Sequence, residues 1–238
     1  MRAVSRFLVL LLLAVVALQL AWGLRIAMLL VLDPQSTSFQ RSQFYAVASA
    51  GNAQRWRHAW VDGTRISDNL RRAVIASEDA GFTEHSGVEW DAIEKAWQRN
   101  EKSEARVAAT KSKRPPKVVG GSTISQQLAK NLFLSGERTN LRKAQELVLT
   151  FMLEALLPKD RLLDIYLNSV EWGEGIFGAE AAAQRYFKKP ASALTPYEAA
   201  RLAVMLPAPK RYEKIPQSPY LSTRAQTIVA RMDDVELP

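Results

Sequence analysis

The segment FLVLLLLAVVALQLAWGL, residues 7–24, contains 18 residues of which only Gln19 is polar. An apolar helix of that length crosses a hydrocarbon core of about 30 Å. The run resumes over residues 26–32 after Arg25, whose long stem can carry its charge to the interface. The competing reading is a cleavable signal peptide, with a shorter apolar region of about 7–15 residues and a small-residue cleavage site. No clean cleavage signal stands before Asp33, so the segment is read as a single-pass anchor. Arg2 and Arg6 precede it, which leaves the N-terminus in the cytoplasm and the rest of the chain on the outer (periplasmic) face of the cytoplasmic membrane. The expected organisation is a cytoplasmic start and transmembrane anchor over 1–32, a polar tether over 33–43, and one domain over 44–238.

An anchored domain outside the cell narrows the meaning of its charge. The net charge is +8 among 238 residues, which suits anionic lipid headgroups or a phosphorylated substrate. Nucleic acid is disfavoured, because no stretch alternates Lys or Arg with stacking aromatics. The chain has no cysteine, so neither a disulfide framework nor a thiolate metal site exists.

Beyond the tether the periodicity is mainly helical and the class is mostly α. Helices are expected over 69–80, 90–98, 141–157, 160–168 and 176–187. Capping boxes at Thr123/Gln126 and Thr195/Glu198 open two more, the first reaching about residue 134 and the second stopping at Pro207. The apolar positions 141, 144, 147, 148, 151, 152, 155 and 156 read as the buried face of one helix. Residues 99–117 carry seven Lys or Arg against two Glu and end in Pro-Pro-Lys; they read as a mobile basic loop, with a frayed helix over its first part as the alternative.

Several stretches could carry chemistry. In VIASEDAGFTEHSG, residues 74–87, Glu78 is followed at four and seven residues by Phe82 and His85, positions that share one face of a helix. This is either a carboxylate held beside a cleft or an acidic segment running into a capped turn. In GGSTISQQLAKN, residues 120–131, glycines before a capped helix start leave N–H groups free for an anion, and Gln126, Gln127 and Lys130 share a face. A glycine hinge before an ordinary amphipathic helix fits that spacing equally well. In RTNLRKAQE, residues 138–146, Arg138, Arg142 and Lys143 precede Glu146; by spacing alone Arg142 and Glu146 read as an i, i+4 pair on a solvated face. Tyr166, Asn168 and the glycines of WGEGIFG read as scaffold. Ser67-Asp68-Asn69 matches one motif of penicillin-binding acyl enzymes, but no Ser-x-x-Lys or Lys-Thr-Gly accompanies it, so no acylating nucleophile is present.

Taken together, EDAGFTEHSG (78–87), GGSTISQQLAKN (120–131), RKAQE (142–146) and KDRLLDIYLNSVEWGEGIFG (159–178) resemble four ordered motifs of the bacterial peptidoglycan glycosyltransferases, and EAARLAVMLPAPKRY (198–212) is similar to a fifth. The likeness spans about residues 60–232, and the single anchor resembles the monofunctional biosynthetic form. It implies a lysozyme-like helical glycosyltransferase domain that polymerises lipid II onto a growing lipid-linked glycan, with inversion and release of polyprenyl diphosphate. It implies Glu78 as the catalytic base and Glu146 as a second essential acid, placing the donor or contacting a metal. Lys130 and Arg138 match diphosphate-binding positions, and Asp79, Phe82, His85, Ser122, Thr123, Gln126, Gln127 and Arg142 match residues that shape the substrate site. The resemblance implies no tightly bound cofactor, with a divalent cation (Mg2+ or Mn2+) used by some members. It implies the membrane and other cell-wall synthesis or division proteins as partners, and no nucleic acid. Two other classes compete: a membrane-anchored lytic glycosidase and a non-catalytic cell-wall assembly scaffold.

Overall fold

The computed structural model describes residues 2–110, 120–134, 136–137 and 139–238. Helix α1 (Arg2–Met28) runs unbroken through Arg25 and is long and apolar enough to cross a membrane. Its first turns are exposed, but its last turns enter the domain. Ile26 is fully buried and Leu29 nearly so. Trp22 meets Phe133 edge-on at 5.2 Å, and the Arg25 guanidinium lies 5.5 and 5.6 Å from those two rings. Gln19 and Gln145 exchange side-chain hydrogen bonds of 3.1 and 3.3 Å. Arg161 then clasps the end of the segment, donating to the carbonyls of Leu29 and Leu32.

Helix α2 (Ser38–Ser49) begins inside the residues read as a tether. Thr37 and Gln40 form a capping box, each accepting the other's backbone N–H. The polar composition hid the same chemistry that marks Thr123 and Thr195. Helix α3 (Asp68–Glu78) is capped by Ser67, whose hydroxyl accepts the Leu70 N–H; the Ser-Asp-Asn triplet is a helix start. Helix α4 (Trp90–Thr110) continues through residues expected as loop. Its Ala, Glu, Lys and Arg are strong helix formers, and its opposite charges are interleaved, which favours helix over an open basic loop. Residues 111–119, the rest of that expected loop, lie outside the described residues.

Helix α5 (Ile124–Phe133) has the expected capping box, and α6 (Asn140–Leu156) ends before Pro158 as its sequence indicates. The face of α6 differs from expectation. Leu141 is 83% exposed, and Val148, Phe151 and Leu156 are also open. The core receives Glu146, Leu149, Thr150 and Leu153 instead. The apolar stripe faces the anchor's side, where Met152, Ala155 and Leu156 flank Val15, Gln19 and Gly23 of α1. The stripe thus lies beside α1 instead of in the domain core.

Helix α7 (Lys159–Ser169) leads into a small sheet of β1 (Arg57–His58), β2 (Glu171–Gly173) and β3 (Ile176–Phe177), ordered β1-β3-β2, with β1 parallel and β2 antiparallel to β3. The helix expected from 176 therefore starts later, as α8 (Ala179–Phe187). Gly178 makes the corner at φ +86°, where a Cβ would stand 2.9 Å from the Asn168 carbonyl oxygen. Asn168 is buried and ties α7 to Val61 through both side-chain groups. Helices α9 (Pro196–Met205), α10 (Pro209–Tyr212) and α11 (Pro219–Met232) complete the fold. The α3, α9 and α11 helices pack together, and α5 packs on α2, α6 and α7. The C-terminus of α3 and the N-terminus of α5 thus meet between these two groups.

Candidate active site

Helix α3 stops at Glu78 because Asp79 leaves helical geometry and turns its carboxylate to the start of α5 and to His85. Asp79 is buried. Its Oδ2 accepts the Ile124 N–H at 2.9 Å, fastening α3 to the start of α5. Its Oδ1 lies 2.9 Å from His85 Nε2. His85 Nδ1 accepts the Gly87 N–H at 3.0 Å, so Nε2 carries the proton donated to Asp79. Phe82 is fully buried, with its ring edge-on to His85 at 6.4 Å and Lys159 Nζ 4.6 Å from its centroid. Lys159 also donates to the His85 carbonyl at 2.7 Å. Glu78, Phe82 and His85 therefore do not share a helix face; residues 79–87 form a braced turn.

The second brace is Thr123. Its hydroxyl donates to the Gly87 carbonyl at 2.6 Å and accepts the Gln126 N–H at 3.2 Å, while Gln126 Oε1 accepts the Thr123 N–H at 3.1 Å. These bonds leave Glu78 and Gln127 to face each other. Gln127 Nε2 donates to Glu78 Oε2 at 3.1 Å, and Gln127 Oε1 accepts the Tyr166 hydroxyl at 3.0 Å. Burial pushes the Glu78 carboxyl above its ordinary value and the Asp79 charge adds to this, against hydrogen bonds from Gln127 and Ser77. Tyr166 is fully buried; burial and the two acids push its hydroxyl well above the usual range, so it remains a donor. By sequence Tyr166 reads as scaffold, since its 39-residue separation from Gln127 leaves no local signal.

Two cavities meet at this point, and Ser122 lines both. One, of about 190 Å³, is lined by Glu78, Asp79, Glu89 and the cations Lys95 and Arg99. The other, of about 360 Å³, is lined by Gln126, Gln127, Lys130, Arg142, Lys143 and Glu146. Arg142 does pair with Glu146, at 2.6 Å, and Lys143 pairs with the same carboxylate. The face is not solvated, however: Glu146 is 3% exposed. Arg142 Nε is a buried donor without a partner among the described residues. Arg138 lies outside the described residues. Both Glu146 oxygens are held by cations, and among the described residues no three His, Cys, Asp or Glu side chains converge. That donor set does not fit a resident metal ion.

A carboxyl raised by burial can take a proton from a hydroxyl. A neighbouring cavity with an excess of cations can hold a leaving group that departs as an anion. A sequence model described as Transglycosylase matches residues 45–233. The chain is 52% identical over 222 residues to a biosynthetic peptidoglycan transglycosylase of Burkholderia thailandensis, covering 93% of this chain and 82% of that protein. Proteins of the same name from Herminiimonas arsenicoxydans (48% over 226 residues, 95% and 93% covered) and Bordetella pertussis (49% over 206 residues, 87% and 82% covered) are similarly close.

Proposed function

Because the chain belongs to the transglycosylase family and is a peptidoglycan glycosyltransferase, we propose that it lengthens lipid-linked glycan from lipid II with Glu78 as its base. The observation that supports this division of labour is the pair of cavities that share Ser122, with the raised carboxyl in one and Lys130, Arg142 and Lys143 in the other. The 4-hydroxyl oxygen of the acceptor attacks the anomeric carbon of the donor chain, and its proton passes to Glu78. The bond from that carbon to the diphosphate oxygen breaks, the electron pair leaves with polyprenyl diphosphate, and the configuration inverts. Diphosphate departs already charged, so no side chain has to protonate it, in contrast to glycosidic bond cleavage, where an acid protonates the leaving oxygen.

Lys130, Arg142 and Lys143 surround the proposed diphosphate site, and Glu146 orients the last two. Asp79, His85, Thr123 and Gln126 hold the two helix ends in register. Phe82 and Lys159 support that turn from behind. The apolar α1 anchors the domain to a membrane, and Arg2 and Arg6 support an orientation with the catalytic domain on the periplasmic face of the inner membrane. The test is direct: purified full-length protein in detergent is given lipid II alone and the glycan length is measured. Wild type should form polymer, and Glu78→Gln, which keeps shape but not basicity, should be slower by about 10²–10⁴-fold while still folded. A Glu78→Gln protein that polymerises at the wild-type rate would remove the base assignment.

A further inference from the structure

Helix α4 gives the cavity beside Glu78 a basic wall that the family reaction does not by itself require. Lys95, Arg99 and Lys102 recur at i, i+4 and i+7, which puts them on one face of the helix. Lys95 and Arg99 line the same cavity as Glu78. All three are exposed and, among the described residues, form no ion pair or hydrogen bond. The opposite side of α4 has a different character, with Trp90 and Trp97 exposed at 64% and 68% and Glu94 and Glu101 between and beyond them. The basic face is held at the cavity by close backbone packing. A Cβ on Gly121 would lie 3.1 Å from the Ala92 carbonyl oxygen and from Ile93 Cα, so the lead-in to α5 rests directly on α4.

We propose that Lys95, Arg99 and Lys102 form a binding track for the diphosphate of the acceptor lipid. The inference rests on Glu78 receiving the acceptor's 4-hydroxyl proton. An acceptor held that way carries its own diphosphate at the far end of its disaccharide, and the same cavity contributes Glu78, Asp79 and Glu89, which repel an anion. Cations are needed to offset them. Lys95 to Lys102 is seven residues, about 10 Å of helix rise, which is on the order of the length of a disaccharide. The donor's diphosphate has its own cations in the other cavity, so the two anions of the two substrates are held on separate elements, α4 for one and α5 with α6 for the other.

The experiment separates the substrates. A lipid-linked disaccharide with its 4-hydroxyl blocked can act only as donor; it is held saturating while unblocked lipid II is varied as acceptor and single couplings are counted. Lys95→Gln/Arg99→Gln should raise the half-saturating acceptor concentration about ten-fold, as loss of two charge-assisted contacts implies, with the maximal rate and the donor's half-saturation unchanged. With an acceptor whose diphosphate is replaced by an uncharged linker, wild type and variant should coincide. Equal acceptor half-saturation in variant and wild type would overturn the proposal. So would a difference that persists with the uncharged acceptor, which would assign the cations to stem-peptide carboxylates. Failure of the wild type to couple at all would instead defeat the lipid II reading beneath it. Because both side chains are exposed, melting temperatures should match, and a large drop would also count against a binding role.

Discussion

The Glu78 carboxyl is set by opposing neighbours: burial and Asp79 raise it, and the Gln127 amide holds it down. In the proposed role of base Glu78 must be ionised to act, so the rate should fall as pH drops through this raised value, and the acid limb of the pH–rate profile tests that proposal. Gln127→Met removes a hydrogen bond that favours the ionised form, so the acid limb should move to higher pH while the alkaline limb stays. A limb that does not move would show that Gln127 contributes only packing. Glu146→Gln should behave differently. It leaves Arg142 buried without its counter-charge, so both melting temperature and binding of a diphosphate inhibitor should fall, whereas Glu78→Gln should leave inhibitor binding intact. Glu78 and Glu146 stand in short ordered motifs, which is why the sequence singles them out as candidates. Their settings are not legible there. The Tyr166–Gln127–Glu78 relay and the Asp79–Ile124 bond join residues far apart in sequence, and spacing along the chain carries no trace of them.

Elements read well where local chemistry announces them. The boxes at Thr123/Gln126 and Thr195/Glu198 located two helices within a residue or two. The same device at Thr37/Gln40 is masked by polar neighbours, and a charge-rich sequence conceals the second half of α4. Helix α6 shows a deeper limit: periodicity reveals that a stripe is apolar but not whether protein or lipid covers it. The β2 strand carries a polar feature of its own. Glu171 is buried, with Lys210 3.4 Å away in an ion pair lacking hydrogen-bond geometry, and burial pushes its carboxyl up to about 7. Since the folded state binds this proton more tightly than the unfolded chain, stability is greatest below about pH 4.5 as far as this group is concerned, and falls as pH rises towards 7. Glu171→Gln should flatten that slope and raise stability at pH 8 by about 2 kcal/mol. Denaturant melts at pH 5 and pH 8 would show it, and an unchanged slope would locate the pH dependence elsewhere.

At the scale of the whole molecule, the anchor cannot be detached cleanly. Residues 2–17 of α1 are exposed, but Ile26 and Leu29 belong to the domain's core and Trp22 packs on Phe133. Deleting residues 2–17 should leave the melting temperature in detergent unchanged. Deleting residues 2–32 should lower it by roughly 5–15 °C, since each buried aliphatic contributes about 1.5–3 kcal/mol. Equal melting of the two truncated forms would mean that α1 merely rests against the domain. The sequence divides anchor, tether and domain at polar residues, yet folding couples them, because an apolar run looks the same whether its last turns meet lipid or protein. A continuous helix rooted in the core has a mechanical consequence. Tilt of the anchor in the bilayer and the bearing of the catalytic cleft become a single rigid coordinate, so successive disaccharides are released at one height and one inclination. The enzyme would therefore lay its strand like thread from a fixed guide, with the plane of the membrane as its only freedom to steer.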